Sequence, residues 1–238
     1  MMINLQTRVD ETELMDDLSI PFEEFRQTLS GIEVINHLTF AYLPTIKAVE
    51  ELYYKYHQGK NAPLKILDIG SGYGDHLRAI YHWGKRNNIQ LELAGLDLNP
   101  CSAKAANLVD NNSGIKFISD NIFNFKPNEK YDICINALFT HHLKDDEIID
   151  LLKWMTHNSN YGWFINDLHR HPLPYYFIKY LTRIFAFNKL VRNDAPLSVA
   201  RSFKHRDWNH YCQIAGLNSS QVKVSWQMLF RYCVLFRQ

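Results

Sequence analysis

Residues 67–75 read LDIGSGYGD, three alternating glycines set between an apolar run and HLRAIYHW. A strand, a glycine turn and a helix make a backbone cradle beside a helix N-terminus, where chains commonly hold nucleotides. Gly70 lets the chain turn, Gly72 permits close approach of a ligand, and Gly74 lets the helix pack on the strand. A dinucleotide pyrophosphate would require glycine or alanine at position 75. Asp75 stands there instead, favourable to a helix dipole and repellent to a pyrophosphate. No Gly-Lys-Ser/Thr follows, so the P-loop pattern fails as well.

Further acids narrow the ligand. Asp97 closes LELAGLDL, where a carboxylate can accept from both hydroxyls of a ribose. Asp120 closes IKFISD, one position before Asn121, where an adenine edge can be read. Taken singly, an acid after a strand is most often a turn or cap residue. Asp68, Asp97 and Asp120, in order at three strand ends, suit a nucleoside without phosphates. Further on, FTHHL puts His141 and His142 beyond a fourth apolar run, and NDLHRHP puts Asp167, His169 and His171 at the end of a fifth. Histidine titrates near neutrality and can take a proton from a substrate hydroxyl. His169 is the first choice of base, with Asp167 holding its imidazole, and His141 and His142 come next. With 11 histidines in the chain an adjacent pair is unsurprising, and Asp167 with His169 can equally cap the turn into the next helix. These histidines alone fix no closed ligand set, so no metal is expected.

The elements that must position these residues follow from periodicity. Up to about His57, apolar residues recur three and four apart in LTFAYLPTIKAVEELYYKY, a helical pattern that Pro44 should bend or break. GKNAP stops it. From there short apolar runs (LKILDIG, LELAGLDL, IKFISD, YDICINAL, YGWFIND) alternate with helical stretches such as DHLRAIYHWGKRNN, PCSAKAANLVDNN and DDEIIDLLKWMTHN. That rhythm predicts βαβ units and a doubly wound, mainly parallel sheet. After Asp167 it breaks into an aromatic-rich insertion at about 172–203, a helix in KHRDWNHYCQIAGL closed by Gly216, and two last strands. The expected division is an N-terminal helical cap over 1–62 and a Rossmann-like domain over 63–238 that carries the inserted helical cap. YYFIKYLTRIF could wall an apolar acceptor pocket or simply pack on the domain. Arg192 and Arg201 could grip a carboxylate on the acceptor or pair at the surface.

Together these segments resemble the class I S-adenosylmethionine-dependent methyltransferases. ILDIGSGYGD is similar to their first motif, LAGLDLNP to their second and ISDNIFNF to their third. YDICINALFTHHL resembles their strand-four segment, and VKVSWQMLFRYCVLF their closing antiparallel pair. The likeness spans about 63–238 and is nearest to the small-molecule branch that includes quinone-biosynthesis enzymes. ELMDD and INDLHRHPLPYY resemble methyltransferases of bacterial polyketide and other secondary-metabolite pathways. The resemblance implies a seven-stranded sheet with one antiparallel strand, S-adenosylmethionine as cofactor and S-adenosylhomocysteine as product. It implies further that Asp68, Gly70, Gly72 and Gly74 line the methionine end and that Asp97 takes the ribose, with Leu98 beside it in the cofactor site. Asp120 and Asn121 would then face the adenine, and Asn136 the sulfonium side.

Composition bounds the partners. The chain has 238 residues, 46% hydrophobic and 21% charged, enough for one α/β domain with caps. Lys and Arg total 26 against 25 Asp and Glu, so no global field draws it to nucleic acid. Nucleic-acid amino-methylating enzymes commonly carry two prolines after strand four, which NALF lacks. No apolar run reaches the length of a membrane span, and the charged start MMINLQTRVDETELMDDL lacks a signal-peptide core. Cys101, Cys134, Cys212 and Cys233 form no CxxC pair and suit a reducing cytoplasm. The expectation is methyl transfer to the oxygen or carbon of a small apolar or aromatic acceptor. The rivals are a nucleic-acid or protein methyltransferase, an NAD-dependent oxidoreductase disfavoured by Asp75, and a non-catalytic S-adenosylmethionine-binding protein. The oligomeric state leaves no trace in the sequence.

Overall fold

A computed structural model describes residues 4–110, 113–185 and 187–238. Residues 1–3 of the expected cap, Asn111 and Asn112 at the end of PCSAKAANLVDNN, and Ala186 within the expected insertion lie outside the described residues. In chain order the helices and strands are α1 (Phe22–Leu38), α2 (Tyr42–Tyr56), β1 (Leu64–Ile69), α3 (Asp75–Arg86), β2 (Leu91–Asp97), α4 (Pro100–Val109), β3 (Lys116–Ser119) and β4 (Tyr131–Ala137). There follow α5 (Asp145–Asn158), β5 (Ser159–Leu168), α6 (Pro172–Ile184), α7 (Lys189–Arg201), α8 (His205–Ile214), β6 (Val222–Gln227) and β7 (Arg231–Arg237). Among the described residues no helix is long and apolar enough to cross a membrane.

The strands form one seven-stranded sheet in the order β3-β2-β1-β4-β5-β7-β6. All neighbours are parallel except at β7, which runs antiparallel to both β5 and β6. The mainly parallel sheet with one antiparallel strand is therefore the one the motifs imply. Strands buried on both faces read as continuous apolar runs. In β1, alternate residues divide between two cores: Leu67 and Ile69 pack with Leu151, Leu152 and Trp208 of α5 and α8, while Leu64 and Ile66 pack with Val49, Leu52, Leu77 and Ile80 of α2 and α3. Order reverses between β1 and β4, the switch point at which doubly wound sheets open a crevice at their carboxyl edge.

The helical break at the N-terminal side differs from expectation. It falls at Thr39–Ala41, with Phe40 at φ 49°, and Pro44 lies in the first turn of α2. A proline there loses nothing, because the first four N–H groups of a helix have no partner within it. The segment before β1 also divides in two. α2 belongs to the helical layer on one sheet face, whereas Ile35 of α1 packs with Ile178 of α6 and with Val191 and Val199 of α7. Ahead of α1 an extended strap crosses the same region. Val9 donates its N–H to the Ala200 carbonyl, and Leu14 and Met15 donate theirs to the two carboxylate oxygens of Asp194, each at 2.9 Å.

Candidate active site

A cavity of about 470 Å³ lies at the carboxyl ends of β1, β2 and β4. Its floor is the turn from Gly70 to Tyr73; its walls include Leu29 and Ile35 of α1, Phe177 and Ile178 of α6, and Val191 and Val199 of α7. Gly70 (φ 71°) lies so close to the Phe139 ring that a Cβ would run into it, so the close neighbour at this glycine is protein. Among the described residues Gly72 (φ 48°) has only Leu29 within reach, at 3.6 Å from where a Cβ would stand, and is open to the cavity. Gly74 closes the turn against Phe117 of β3.

The expected acids meet here. Asp97, at the end of β2, accepts from the N–H of Gly72 at 2.8 Å and of Asn99 at 2.9 Å. Burial raises its carboxyl above the ordinary range despite these bonds. Asp68 is buried, and its Oδ1 has no hydrogen-bond partner among the described residues. Burial, with the charges of Asp75 and Asp97, pushes its carboxyl well above the ordinary value. Asp120 and Asn121 follow β3 and line the same cavity, as does Leu98. Asp120 accepts from the Asn121 N–H at 2.7 Å, and Asn121 from the Phe123 N–H at 3.0 Å. Asn136 sits within β4, fully buried, and is not among the cavity walls; its Oδ1 accepts from the Thr140 hydroxyl at 2.9 Å. Asp75 opens α3 and accepts from Asn36 and the Tyr42 hydroxyl, both at 2.9 Å.

The histidines are arranged otherwise than the sequence suggests. Asp167 lies inside β5, and its carboxylate takes the Nδ1 of His141 at 2.8 Å, the His141 backbone N–H at 3.1 Å and the Leu168 N–H at 2.7 Å. It does not hold His169. That ring lies against His171 and Tyr232, with centroids 5.2 and 4.9 Å away, and is not among the cavity walls. The reason is the sheet: Ala137 pairs with Asn166, so the 3-10 turn Thr140–His142 after β4 brings His141 over the end of the neighbouring strand. Arg201 also departs from expectation. Its guanidinium donates from each of its three nitrogens to the carbonyls of His141 (3.1 Å), His142 (2.9 Å) and Glu11, so it clamps the turn and strap together and is not among the cavity walls. Arg192 is exposed and lies outside the cavity walls.

Glu13, brought in by the strap, is the residue sequence reasoning missed. It is buried, with Oε1 3.6 Å from His141 Nε2 and Oε2 3.9 Å from His142 Nε2. His142 also meets Asp16 through Nδ1 at 3.0 Å. Burial and Arg201 lower the His142 value, but Glu13 and Asp16 outweigh them and lift it to about 9. One ligand atom each from Glu13, His141 and His142 lies within 4.8 Å of the others. The Glu13 charge is already answered by the Ser198 hydroxyl at 2.9 Å and by Arg201 at 4.0 Å. The only local signal was the acid spacing in ELMDD; nothing nearby says that this acid is buried or against what.

No family model matches the chain, and no curated protein matches it. Solved structures do. The plantazolicin methyltransferase BpumL, crystallised with a monoazolic desmethylPZN analogue and SAH, superposes with a TM-score of 0.62 over 94% of this chain and 97% of its own, at 15% identity. Human N-acetylserotonin methyltransferase in complex with SAM gives 0.64 over 96% of this chain and 63% of its own, at 14% identity. Magnesium protoporphyrin IX methyltransferase from Synechocystis, with bound SAH, gives 0.53 over 84% of each chain, at 13% identity. Topology and superposition agree: this chain has the Rossmann-like fold of the class I S-adenosylmethionine-dependent methyltransferases.

Proposed function

We propose that the chain transfers a methyl group from S-adenosylmethionine to a hydroxyl or enol of a small apolar acceptor. One observation carries the reading: a single cavity joins the Asp97 carboxylate at the end of β2 to the cluster of Glu13, His141 and His142. The neighbours of the fold are methyltransferases by name, crystallised with SAM or SAH, which supports it.

The residues present suit the cofactor. Asp97 uses one lone pair on each oxygen for backbone N–H groups and keeps others for ribose hydroxyls. Gly72 leaves room beside it, and Leu98, Ile122 and Phe123 offer apolar faces to a base. The unpartnered oxygen of Asp68, among two further acids, suits a ligand that is cationic. When bound, S-adenosylmethionine supplies an electrophilic methyl on a positively charged sulfur.

The chain's own part is alignment and proton removal. The apolar walls from α1, α6 and α7 hold an apolar acceptor and exclude water. Asp167 holds the Nδ1 side of His141, leaving Nε2 to take a proton from the acceptor hydroxyl, with Glu13 beside it. His142 keeps its own proton at neutral pH, so it balances Glu13 and Asp16 and is not the base. His169 has no part in the reaction. Titration calorimetry should show S-adenosylhomocysteine binding and NAD failing to bind. Mass spectrometry should then show methylation of some member of a panel of alkyl phenols, hydroquinones and polyketide enols. Binding of NAD in place of S-adenosylhomocysteine would overturn the assignment, and tight cofactor binding without turnover would favour a non-catalytic protein.

A further inference from the structure

Helix α6 has two apolar faces. Pro174, Ile178 and Thr182 are buried, whereas Leu173, Tyr176, Phe177, Tyr180 and Ile184 recur three and four apart on the other side and are exposed. The exposure is large: 63% for Leu173, 57% for Tyr180 and 77% for Ile184. A surface helix ordinarily turns a polar face to water, and a contiguous apolar stripe of this kind marks an interaction site. The stripe also continues into the cavity. Phe177 belongs to both the stripe and the cavity wall, and its ring lies 6.3 Å from that of Phe230, in the turn between β6 and β7. Met228 in that turn is 78% exposed.

Charge says what covers this face. Residues 172–193 hold Lys179, Arg183, Lys189 and Arg192 and no acid, although the chain as a whole is nearly neutral. On α6 itself, Lys179 and Arg183 border the apolar stripe one turn apart. An apolar stripe with a basic margin is the pattern of a helix lying in a headgroup layer, its apolar side in the acyl boundary and its basic residues on anionic lipid. We infer that the exposed face of α6, with the β6–β7 turn, docks on an anionic lipid bilayer. The acceptor then enters the cavity from the lipid past Phe177; this second step rests on the methyl-transfer reading, and the docking does not.

Vesicle co-sedimentation of the full chain tests the docking. Binding is expected to phosphatidylglycerol-containing vesicles and not to pure phosphatidylcholine vesicles, and it should weaken in about 0.5 M salt, where exposed charges are screened within a few ångströms. Tyr180→Glu with Ile184→Glu should abolish it. Lys179→Gln with Arg183→Gln should weaken it about thirtyfold, the scale of two basic residues at an anionic surface. The lysine–arginine pair and the salt series carry the test should the glutamate variant melt early. Failure of the wild-type chain to bind either vesicle overturns the docking, as does binding that the Tyr180/Ile184 variant leaves intact. A dimer in sedimentation equilibrium that this variant splits, without vesicle binding, would assign the face to a second copy of the chain. S-adenosylhomocysteine affinity, measured on the same variants, should stay at the wild-type value and separates failure of the docking from failure of the methyl-transfer reading.

Discussion

His141 is held twice by Asp167: its imidazole Nδ1 lies 2.8 Å from Oδ1, and its backbone N–H donates to Oδ2 at 3.1 Å. Both residues are buried. Burial alone would raise the Asp167 carboxyl, but the His141 imidazole and the hydrogen bonds from His141 and Leu168 bring it below the ordinary range. An ionised carboxylate can only accept, so Nδ1 of His141 carries a proton and the Nε2 side, 3.6 Å from Glu13, faces the cluster.

Asp167→Asn tests that arrangement. The amide can present a donor to Nδ1 and reverse the tautomer, removing the proposed base from the Nε2 side that faces Glu13. Turnover should fall by roughly two to four powers of ten, the range for losing a positioned base or its orienting partner. S-adenosylhomocysteine affinity should stay unchanged, and His169→Gln should turn over like wild type. Steady-state rates with a methyl-labelled cofactor decide it: an Asp167→Asn enzyme at the wild-type rate would remove the pair from the mechanism.

The difference between the two histidine assignments shows what a sequence carries and what it does not. Asp68, Asp97 and Asp120 were legible because each ends an apolar run, and the turn after a buried strand is a local property. Asp167 and His169 stand two apart and suggested a pair. The actual partner, His141, comes from the neighbouring strand through the register of Ala137 with Asn166, and no local spacing encodes that register. Glu13 is further removed still, since its place follows from a strap pinned by Asp194 of α7. Pro44 misled for another reason: the same proline that breaks a helix interior is tolerated in a first turn, and the pattern around it does not say which turn it occupies.

Stability should depend on pH with two separable limbs. His142 is raised to about 9 from 6.5, so its contribution is fully present below pH 6.5 and is lost as pH climbs toward 9. Burial holds His76 and His169 down to about 4, so their contribution is present above pH 6.5 and is lost as pH falls toward 4, where the unfolded chain takes up protons first. Melting temperatures across that range should fall on both sides of about 6.5. His142→Gln should make the alkaline limb shallower without abolishing it, because the raised Asp68 carboxyl also loses stability as it ionises with rising pH, and His169→Gln should make the acid limb shallower. An alkaline limb unchanged in His142→Gln would place that titration elsewhere.

Asp97→Ala should weaken S-adenosylhomocysteine binding by about 2 kcal/mol, the scale of hydrogen bonds to a charged acceptor. The same carboxylate ties the Gly72 and Asn99 N–H groups together, so part of the loss is disorder in the turn. Asp97→Asn separates the two effects, because its single acceptor oxygen can keep one backbone bond but cannot serve two ribose hydroxyls as well. Calorimetry should rank the affinities wild type, Asn, Ala. Equal affinity in all three would move the ribose away from β2.

Arg201→Lys is the test of the strap. The guanidinium spans the carbonyls of His141, His142 and Glu11, a fork that one ammonium on a longer stem cannot reproduce. Arg8 also reaches the His141 carbonyl, at 3.1 Å, so that acceptor stays satisfied, whereas the His142 carbonyl at 2.9 Å loses its partner. This bond is part-buried, and an acceptor there left unpaired costs about 1 kcal/mol, the lower end of the buried range, which should appear as a lower urea midpoint with an unchanged slope. Loosening the turn also releases Glu13 and the two imidazoles from their common geometry. Turnover should therefore drop by more than stability alone accounts for, while S-adenosylhomocysteine, whose proposed site lies at the ends of β1, β2 and β3, should keep its affinity. A variant that loses stability but turns over normally would confine Arg201 to holding the fold and leave the histidine geometry to Asp167.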